Sequence, residues 1–574
     1  MSRVNGGELF VRTVIRNGVD VMFTLHGGHL DAIFQSCLDH DLRLVDTRHE
    51  AAAGHAADAY ARMTRKPGVA LVTAGPGFTN VVTAIANAYL DCIPTLFVAG
   101  APPLRDAEIN PLQGGFSQVE MVKPVTKWAH QVTQTHQIPA LVSQALRIAV
   151  SGRPGPVFLE IPIDVLFAEV NEAVMRIPEP FRPGHGLIPS PDTVERALAI
   201  LAEAQRPVIL AGGGVLFAGA AEELEAFAAV TRIPVFTNNK VHGLVALPDA
   251  LSGGAFGNLA ALGTKAEERP DVALILGARL GLFTGGITDR LLPFETRLIH
   301  VDIDAREIGR LRDAELPVVA DCRSALAALR DGAERRQWPS RAEWLERIRK
   351  ARAAQRAAFA EAPTSDGQAV HPFRAAEAVA EQVDASTVLV TDGGEAKSWI
   401  EMFAPFPKGS RYLSLGYLGC LGVGVPFAAA AKLARPGSRV LCVTGDGAFG
   451  LNLQELETFV RHRIPVVTVV FNNQCWGMSA HAQDIIFGRH RRVVSELAPT
   501  RYGDVAAAFG CHAEHVEKLS ELRPALARAV ESGKPACVNV MIDPDTVAPY
   551  TTGMIGSWNR EREIVLPYYD NLQK

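Results

Sequence analysis

The sequence lacks the features that place a chain in a membrane or direct it to secretion. Its 574 residues contain no apolar run that approaches the ~20 residues a membrane-spanning helix needs. Residues 1–20 mix charged and apolar residues without a signal-peptide core, and residues 571–574 form no peroxisomal or retention address. These absences predict a soluble cytoplasmic protein.

Paired cysteines and a strong charge imbalance are also missing. The eight cysteines are scattered, mostly among apolar neighbours, and form no Cys-x-x-Cys pair, which predicts reduced thiols and an intracellular protein. Lys and Arg number 57 against 62 for Asp and Glu, so the net charge of −5 suggests no nucleic-acid or membrane partner. With 48% hydrophobic and 21% charged residues, the chain is globular rather than disordered or fibrous.

What the chain does contain is a duplicated strand–turn–helix–strand pattern. In each copy an apolar strand runs into a glycine-rich turn, and an Ile-Pro pair follows 20 positions after a threonine. The two pairs are Thr73 with Ile93 and Thr444 with Ile464. Any two βαβ units look similar, but a shared offset favours duplication of a unit with parallel strands.

A third α/β region separates the two copies. Residues 207–214, 271–278 and 298–304 each predict a strand; two end in glycine turns, and the third ends in acids that could meet a ribose hydroxyl. No complete Gly-x-Gly-x-x-Gly motif is present, so the nucleotide signal is weak.

We therefore predict an α/β fold of three doubly wound parallel-sheet domains. They cover residues 1–175, 190–345 and 366–545, and a C-terminal tail follows over residues 546–574. The tail contains Trp558, Arg560, Arg562, Tyr568 and Tyr569, and we expect it to close over a pocket.

The second copy carries oxygen ligands suited to Mg²⁺. Asp446 lies in the turn between Gly445 and Gly447, and Asn473 follows the next parallel strand 27 residues later. Both arrive at the carboxyl edge of one sheet, where α/β proteins bind ligands. A carboxylate and an amide oxygen are hard ligands for Mg²⁺, which completes its octahedron with phosphate oxygens. Gly447 and Ala448 can offer backbone N–H groups to the same phosphates.

With these residues the chain resembles the thiamine diphosphate-dependent enzymes over nearly all of its length. The resemblance implies an N-terminal domain that binds the aminopyrimidine and a C-terminal domain that binds the Mg-diphosphate. It also implies a homotetramer, a dimer of dimers, in which the duplicated domains meet across a subunit interface. The implied metal ligands are Asp446, Asn473 and the backbone carbonyl of Cys475. The other implied cofactor-binding residues are Thr73, Gly394, Glu395, Gly419, Leu421, Gly445, Gly447, Ala448, Trp476 and Gly477.

Glu50, at the start of a predicted helix, is the candidate activating acid. Taken alone, an acid in the first turn of a helix is explained by the macrodipole. The resemblance implies instead that Glu50 hydrogen-bonds N1′ of the aminopyrimidine and relays the proton that activates the cofactor. It also implies that the Gly419 carbonyl accepts from the 4′-amino group and that Leu421 bends the cofactor; ordinary core packing is the alternative for Leu421.

Two histidines and a glutamine complete the predicted catalytic set. His26 and His29 bracket a glycine pair after the first strand of the N-terminal domain, where they can pass protons near neutral pH. A purely structural role is the alternative for both. Gln113, on a loop, is a neutral donor suited to an oxyanion or an enol.

Within the family, the chain resembles the 2-hydroxyacyl-CoA lyases and benzaldehyde lyase. The motifs that carry this resemblance lie at residues 25–29, 46–57, 113, 126–130, 416–419 and 472–477. The acyl-CoA lyases have an acid-bearing lid, which makes Glu496 a catalytic candidate. The basic residues 489–492 either pair with CoA phosphates or form a solvated surface. The chain departs from benzaldehyde lyase at residues 394–398, a stretch that contains the charged Glu395 and Lys397, and at Leu415, where that enzyme has histidine.

These motifs imply a thiamine diphosphate- and Mg²⁺-dependent carbon–carbon lyase that reversibly cleaves a 2-hydroxyacyl-CoA to an aldehyde or ketone and formyl-CoA. The alternative is acyloin cleavage and carboligation of the benzaldehyde lyase type. An acetolactate synthase-type transferase is less favoured. It would need a flavin in the central domain, where we expect ADP or a CoA nucleotide rather than FAD, and purified protein without yellow absorbance would argue against it. A catalytically silent nucleotide-binding scaffold is disfavoured because Glu50, Asp446 and Asn473 are all present.

Overall fold

Three six-stranded parallel sheets follow one another along the chain, each flanked by helices. The structure, a computed structural model, describes residues 2–106, 109, 112–180, 186–281, 284, 289, 291–366 and 369–555. The predicted α/β fold of three parallel-sheet domains is confirmed. Residues 556–574, with the five aromatic and basic tail residues named above, lie outside the described part, so the predicted closure over a pocket stays a prediction.

The first sheet is formed by strands between residues 21 and 162, and a short antiparallel pair, β1 with β8, joins the two ends of its domain. The strands are β1 (Arg3–Asn5), β2 (Val21–Thr24), β3 (Arg43–Asp46), β4 (Gly68–Val72), β5 (Thr95–Ala101), β6 (Trp128–Gln131), β7 (Val157–Pro162) and β8 (Glu169–Asn171). The helices are α1 (Gly6–Arg16), α2 (Asp31–Asp39), α3 (Glu50–Thr64), α4 (Pro76–Asp91), α5 (Gln118–Val122), α6 (Ile138–Val150) and α7 (Ile163–Phe167).

The second sheet belongs to the central domain. Its strands are β9 (Pro207–Ala211), β10 (Val235–Thr237), β11 (Ser252–Ala255), β12 (Val272–Leu276), β13 (Arg297–Asp302) and β14 (Leu316–Val319). The helices are α8 (Pro191–Glu203), α9 (Gly213–Ala218), α10 (Ala221–Thr231), α11 (Cys322–Ala333) and α12 (Ala342–Ala357). The strand order β11-β10-β9-β12-β13-β14 is the order of dinucleotide-binding sheets.

The third sheet belongs to the C-terminal domain. Its strands are β15 (Val388–Asp392), β16 (Arg411–Ser414), β17 (Val440–Gly445), β18 (Val467–Asn472), β19 (His512–Val516) and β20 (Ala536–Met541). The helices are α13 (Pro372–Ala380), α14 (Gly394–Phe403), α15 (Gly424–Ala434), α16 (Asp446–Asn452), α17 (Glu455–Arg461), α18 (Gly477–Phe487), α19 (Tyr502–Ala508), α20 (Leu519–Glu531) and α21 (Pro549–Ile555).

The first and third sheets share one topology. Their strand orders are β3-β2-β4-β5-β7-β6 and β16-β15-β17-β18-β20-β19. Numbered within each domain, both read 2-1-3-4-6-5, which agrees with the predicted duplication. The repeated Gly-rich turns follow β4 and β17, the third strand of each sheet, so they occupy equivalent positions at the carboxyl edge.

The two duplicated domains share one hydrophobic core through the helices α3 and α15. Both helices present alanines at their contact, among them Ala53 and Ala57 on α3 and Ala428 and Ala431 on α15, all fully buried. Small side chains let two helices approach closely. This packing fixes the start of α3, where Glu50 lies, relative to the C-terminal domain.

All eight cysteines are free; six are buried, and Cys92 and Cys420 are half-buried. Among the described residues, no helix is both long enough and apolar enough to cross a membrane.

Candidate active site

The carboxyl edge of the first sheet gathers three of the predicted residues. Thr73 follows β4, Glu50 follows β3, and His29 follows β2. His29 Nδ1 lies 2.9 Å from Thr73 Oγ1. A Cβ atom at Gly77 would lie 2.8 Å from Thr73 Cγ2 and 3.5 Å from Glu50 Oε1, so a glycine there lets the turn lie against both side chains.

Glu50 is buried at the first position of α3, with 8% of its surface exposed. Its Oε2 accepts a hydrogen bond of 2.9 Å from Asn80 Nδ2 on α4. His49 caps the helix by accepting from the Ala51 N–H. Sequence analysis missed Asn80, although its position one turn after the Gly-Pro-Gly turn was a usable signal.

A buried glutamate from the C-terminal domain holds the loop that precedes Glu50. Both oxygens of Glu455 accept from the Arg48 N–H, at 3.0 and 3.1 Å, and Thr458 Oγ1 donates to it at 2.7 Å. Arg461 and His462 bind Asp46 in the same loop. These contacts join residues about 400 positions apart in sequence, so no local pattern predicted them.

The burial of Glu455 makes stability depend on pH. Burial raises the pKa of this carboxyl to about 7, from about 4.3 in an unfolded chain. The ionised form therefore destabilises the folded state. The penalty is absent at pH below the unfolded value, grows as the pH rises from about 4.3 to about 7, and is complete above about 7, at roughly 4 kcal/mol at most.

We expect Glu455→Gln, which cannot ionise, to lack this contribution to the pH dependence of stability. The contribution should therefore appear in the difference between the melting temperatures of the variant and the wild type. The Tm of the variant minus that of the wild type should rise by roughly 2–6 °C between about pH 5 and about pH 8. Differential scanning fluorimetry checks this, with the exposed Glu531→Gln as the control. A Tm difference that is constant with pH would contradict the buried, ionisable role.

The other two predicted N-terminal residues occupy different surroundings. The side chain of His26 is 71% exposed and contacts Asp31 Oδ1 at 3.1 Å. Gln113 is half-buried, with a φ of 58°, and packs its backbone against the Gly75 turn. Burial lowers the pKa of His29, which keeps that ring neutral near pH 7. The structure thus brings His29, but not His26, into contact with Thr73.

A second glutamine, Gln118, connects the ends of neighbouring strands beside this cluster through hydrogen bonds. Gln118 accepts from the Gly75 N–H at 3.3 Å and donates to the Gly100 carbonyl at 2.9 Å and to Glu160 Oε2 at 2.7 Å. A Cβ atom at Gly100 would lie 2.5 Å from His29 Cβ. Gln118, which sequence analysis did not single out, therefore helps to fix the position of His29.

At the carboxyl edge of the third sheet, three polar groups converge after β17 and β18. Asp446 is 2% exposed, and its Oδ2 has no hydrogen-bond partner among the residues that the structure describes. The side-chain amide atom of Asn473 that faces it lies 3.1 Å from Asp446 Oδ1 and 2.9 Å from the Cys475 carbonyl oxygen. With oxygen at that amide position, three oxygens face one another, as ligands around a cation do.

These residues fit a divalent cation. Burial raises the pKa of Asp446 to about 7, against the backbone hydrogen bonds that lower it, and a bound cation would favour the ionised carboxylate. No cluster of three His, Cys, Asp or Glu side chains suited to a metal occurs in the described ranges, so the candidate ligands are one carboxylate, one amide and one carbonyl. The Cys475 thiol is not needed; burial raises its pKa to about 12.

The other predicted diphosphate residues surround this group. Gly445 caps α16, and Gly447 and Ala448 lie in its first turn. A Cβ atom at Gly447 would lie 2.6 Å from the Trp476 ring, and one at Gly394 would lie 2.9 Å from Met478 Sδ. Because these residues have no side chain, the backbone can lie close to Trp476 and Met478 and leaves room for a ligand to approach.

The loop before α15 holds Gly419 and Leu421. Gly419 is exposed with a φ of 69°, and Leu421 is half-buried. Asp392, at the end of β15, accepts from the N–H groups of Gly393 and Gly424, both at 2.7 Å. Sequence analysis missed this aspartate, whose pKa burial raises to about 6.

Glu496 pairs with the metal loop through its backbone. It forms an antiparallel bridge with Cys475, and the Trp476 N–H donates to the Ser495 carbonyl at 2.8 Å. The Glu496 side chain itself is exposed.

The predicted phosphate-binding cluster at residues 489–492 is partly engaged within the chain. Arg492 forms a bidentate pair with Asp484, and Arg489 lies 2.9 Å from Asp545. Only His490 and Arg491 of the cluster are exposed without an ion pair to an acid in the described residues. These pairings leave less positive charge available for CoA than the sequence suggested.

In the central domain, the two glycine turns at the switch point lie against each other. The Gly214 N–H donates to the Gly277 carbonyl at 3.0 Å, and a Cβ at Gly212 would lie 2.4 Å from the same oxygen. Asp304, one of the acids expected to meet a ribose, instead accepts from Arg306 and Arg153. Binding of ADP or a CoA nucleotide in this domain stays a prediction.

A large cavity lies elsewhere, between the central and C-terminal domains. It has a volume of about 1250 Å³, and its lining includes Thr237, His242, Arg352 and Glu401. None of the predicted site residues lines it. The predicted site residues thus lie at the carboxyl edges of the first and third sheets and not in this cavity.

Comparison with protein-family models identifies the family to which the chain belongs. The N-terminal TPP binding domain of thiamine pyrophosphate enzymes matches residues 4–121, and the central domain of these enzymes matches residues 194–329. Their C-terminal TPP binding domain matches residues 392–540. The chain belongs to the thiamine pyrophosphate enzyme family.

Three named relatives are similar to this chain over nearly its whole length. The chain is 35% identical to "Acetolactate synthase large subunit IlvG" of Mycobacterium tuberculosis, covering 95% of this chain and 97% of that protein. It is 31% identical to "Probable acetolactate synthase large subunit" of Methanocaldococcus jannaschii, over 100% and 98%. It is 30% identical to "Oxalyl-CoA decarboxylase" of Escherichia coli, over 95% and 96%.

These relatives correct the functional prediction. The 2-hydroxyacyl-CoA lyase assignment, with its benzaldehyde lyase alternative, is wrong in its ranking, because several full-length relatives are named acetolactate synthases. The motifs that suggested a lyase include several of the predicted cofactor-binding residues, and cofactor residues serve many reactions in such a family.

Proposed function

We propose that this protein is a thiamine diphosphate- and Mg²⁺-dependent carboligase of the acetolactate synthase type. Such an enzyme joins two 2-oxo acids into a 2-hydroxy-3-oxo acid and releases one CO₂. The observation that supports this proposal best is the similarity, through all three domains, to proteins named acetolactate synthase.

The chain's own residues would hold the cofactor and the metal. Asp446, Asn473 and the Cys475 carbonyl would bind Mg²⁺, and the start of α16 would face the diphosphate. Thiamine diphosphate supplies a nucleophilic carbon that adds to a carbonyl and accepts the electron pair left by CO₂. In a dimer of dimers, the Glu50 edge of one subunit would complete the Asp446 edge of another.

Residues of the N-terminal domain, at the carboxyl edge of the first sheet, would transfer the protons. Glu50, buried and held by Asn80, would hold a proton at its carboxyl group opposite the aminopyrimidine. His29 directs Nδ1 to Thr73, which leaves Nε2 to exchange a proton with a substrate oxygen. Gln113 would donate to a substrate oxygen from its loop.

Pyruvate turnover tests the proposal. With thiamine diphosphate and Mg²⁺, we expect acetolactate to form, detected as acetoin after acid treatment, with one CO₂ released for every two pyruvates consumed. The Asp446→Ala variant, purified identically, controls for contaminating enzymes. One CO₂ per pyruvate with free acetaldehyde, or turnover of oxalyl-CoA alone, would overturn the carboligase assignment.

The same preparation tests the nucleotide of the central domain. An acetolactate synthase-type reaction was expected to need a flavin in the central domain, so on this proposal the purified protein should show the visible absorbance of bound FAD. A protein without flavin absorbance would instead fit the expectation of ADP or a CoA nucleotide and would argue against the acetolactate synthase-type assignment.

A further inference from the structure

A buried carboxylate, Glu395, connects the diphosphate loop to the C-terminal segment of residues 544–555. Glu395 is 8% exposed and lies in the first turn of α14, directly after Gly393 and Gly394. Its Oε1 accepts three hydrogen bonds: from His481 at 2.9 Å, from Thr551 Oγ1 at 2.7 Å and from the Ala548 N–H at 3.4 Å. Two of these three donors belong to the C-terminal segment.

The second oxygen of Glu395 lies against the cofactor loop. A Cβ atom at Gly477 would lie 3.0 Å from Glu395 Oε2 and 2.7 Å from Asn473 Nδ2. Gly477 starts α18 directly after the loop that carries Asn473 and Cys475. The carboxylate therefore packs beside the candidate metal ligands, where an approaching diphosphate would repel it unless its charge is compensated.

His481 provides that compensation. It is 1% exposed, and both of its ring nitrogens face acceptors: Nδ1 faces Glu395, and Nε2 lies 2.9 Å from the Pro544 carbonyl. Because a carbonyl can only accept, Nε2 must carry a proton, and an ionised Glu395 requires a second proton on Nδ1. Burial alone would lower the pKa of His481, but its hydrogen bonds to Glu395 and Pro544 raise it above its usual value.

We infer that His481 and Thr551 are positioning residues for the diphosphate site and act on it through Glu395. They hold the carboxylate of Glu395 in one orientation and spread its charge over three donors, so that a diphosphate can bind beside it. Cofactor binding and docking of residues 544–555 should consequently stabilise each other, because linkage is reciprocal. This inference rests on the proposed cofactor and metal site, and it is independent of which substrate is turned over.

Two matched threonines on one segment provide the test. Thr551→Val keeps the side-chain shape and removes the hydroxyl that binds Glu395, whereas Thr546→Val removes a hydroxyl that binds Asp543. Isothermal titration with thiamine diphosphate at saturating Mg²⁺ should show about 3–10-fold weaker binding for Thr551→Val. The Thr546→Val variant should bind like the wild type. His481→Phe, which loses the charged partner, should lose roughly 10–100-fold.

Two further measurements separate a positioning role from a merely structural one. In the wild type, thiamine diphosphate with Mg²⁺ should slow amide hydrogen exchange in residues 544–555, and Thr551→Val should abolish this protection. In a double-mutant cycle, Thr551→Val should add no further loss of affinity to Glu395→Ala, since no acceptor remains.

Equal cofactor affinities for Thr551→Val, Thr546→Val and the wild type would overturn the inference and leave the proposed function intact. A wild-type protein that binds no thiamine diphosphate would overturn both. Additive losses in the cycle would show that Thr551 does not act through Glu395, which also overturns the inference.

Discussion

Glu50→Gln should leave thiamine diphosphate bound but slow the exchange of its C2 proton by roughly 10²–10⁴-fold. Glutamine fills the same volume and can still contact Asn80, yet it cannot hold the proton that a carboxyl group shares with a ring nitrogen. Exchange is measured by quenching the deuterated reaction at short times and recording the proton spectrum of the released cofactor. Carboligation should fall by a similar factor.

The control for this experiment is Glu120→Gln in the same domain. Glu120 is exposed and pairs with Lys123 on the surface, so its loss should not change C2 exchange. An exchange rate in Glu50→Gln equal to that of the wild type would refute the assignment of Glu50 as the activating acid. A variant that no longer binds the cofactor would assign Glu50 to binding instead.

Asp446→Ala should weaken Mg²⁺ and thiamine diphosphate binding together, by more than about 100-fold. Loss of a residue that only supports a metal ligand typically costs 10–100-fold in metal affinity, and loss of a carboxylate ligand removes more. The cation would link the protein to the diphosphate, so both affinities should decrease in parallel. Titration of Mn²⁺, followed by its electron paramagnetic resonance signal, measures the metal directly.

Asp504→Ala is the matched control in the same domain, because Asp504 is exposed and pairs only with Arg501 in the described residues. Its titration should coincide with that of the wild type. If Asp446→Ala also coincides with the wild type, the metal ligands assigned here are wrong.

The sequence by itself determined the fold class and the two cofactor edges. Buried parallel strands read as continuous apolar runs, so residues 69–72 and 440–443 were recognisable without tertiary information. Because parallel strands all end at one edge, Asp446 and Asn473 had to approach each other. The structure places their facing atoms 3.1 Å apart.

The sequence did not determine which reaction these edges perform. Residues around a cofactor are set by the cofactor, whereas the substrate contacts are few and dispersed. His26 and His29 looked equivalent on either side of two glycines, but only His29 turns towards Thr73, while His26 contacts Asp31 at the surface. The direction of a side chain at the end of a strand depends on the turn and its neighbours.

Only the tertiary structure showed which residues hold the candidate site residues in position. Glu455 holds the loop before Glu50, and His481 and Thr551 hold Glu395, across separations of 407, 86 and 156 residues. Such contacts have no local periodicity or spacing, because they arise where separate helices pack. Local chemistry thus marked the groups that would touch the cofactor, and only the packed domains showed which buried charges and hydroxyls keep those groups in place.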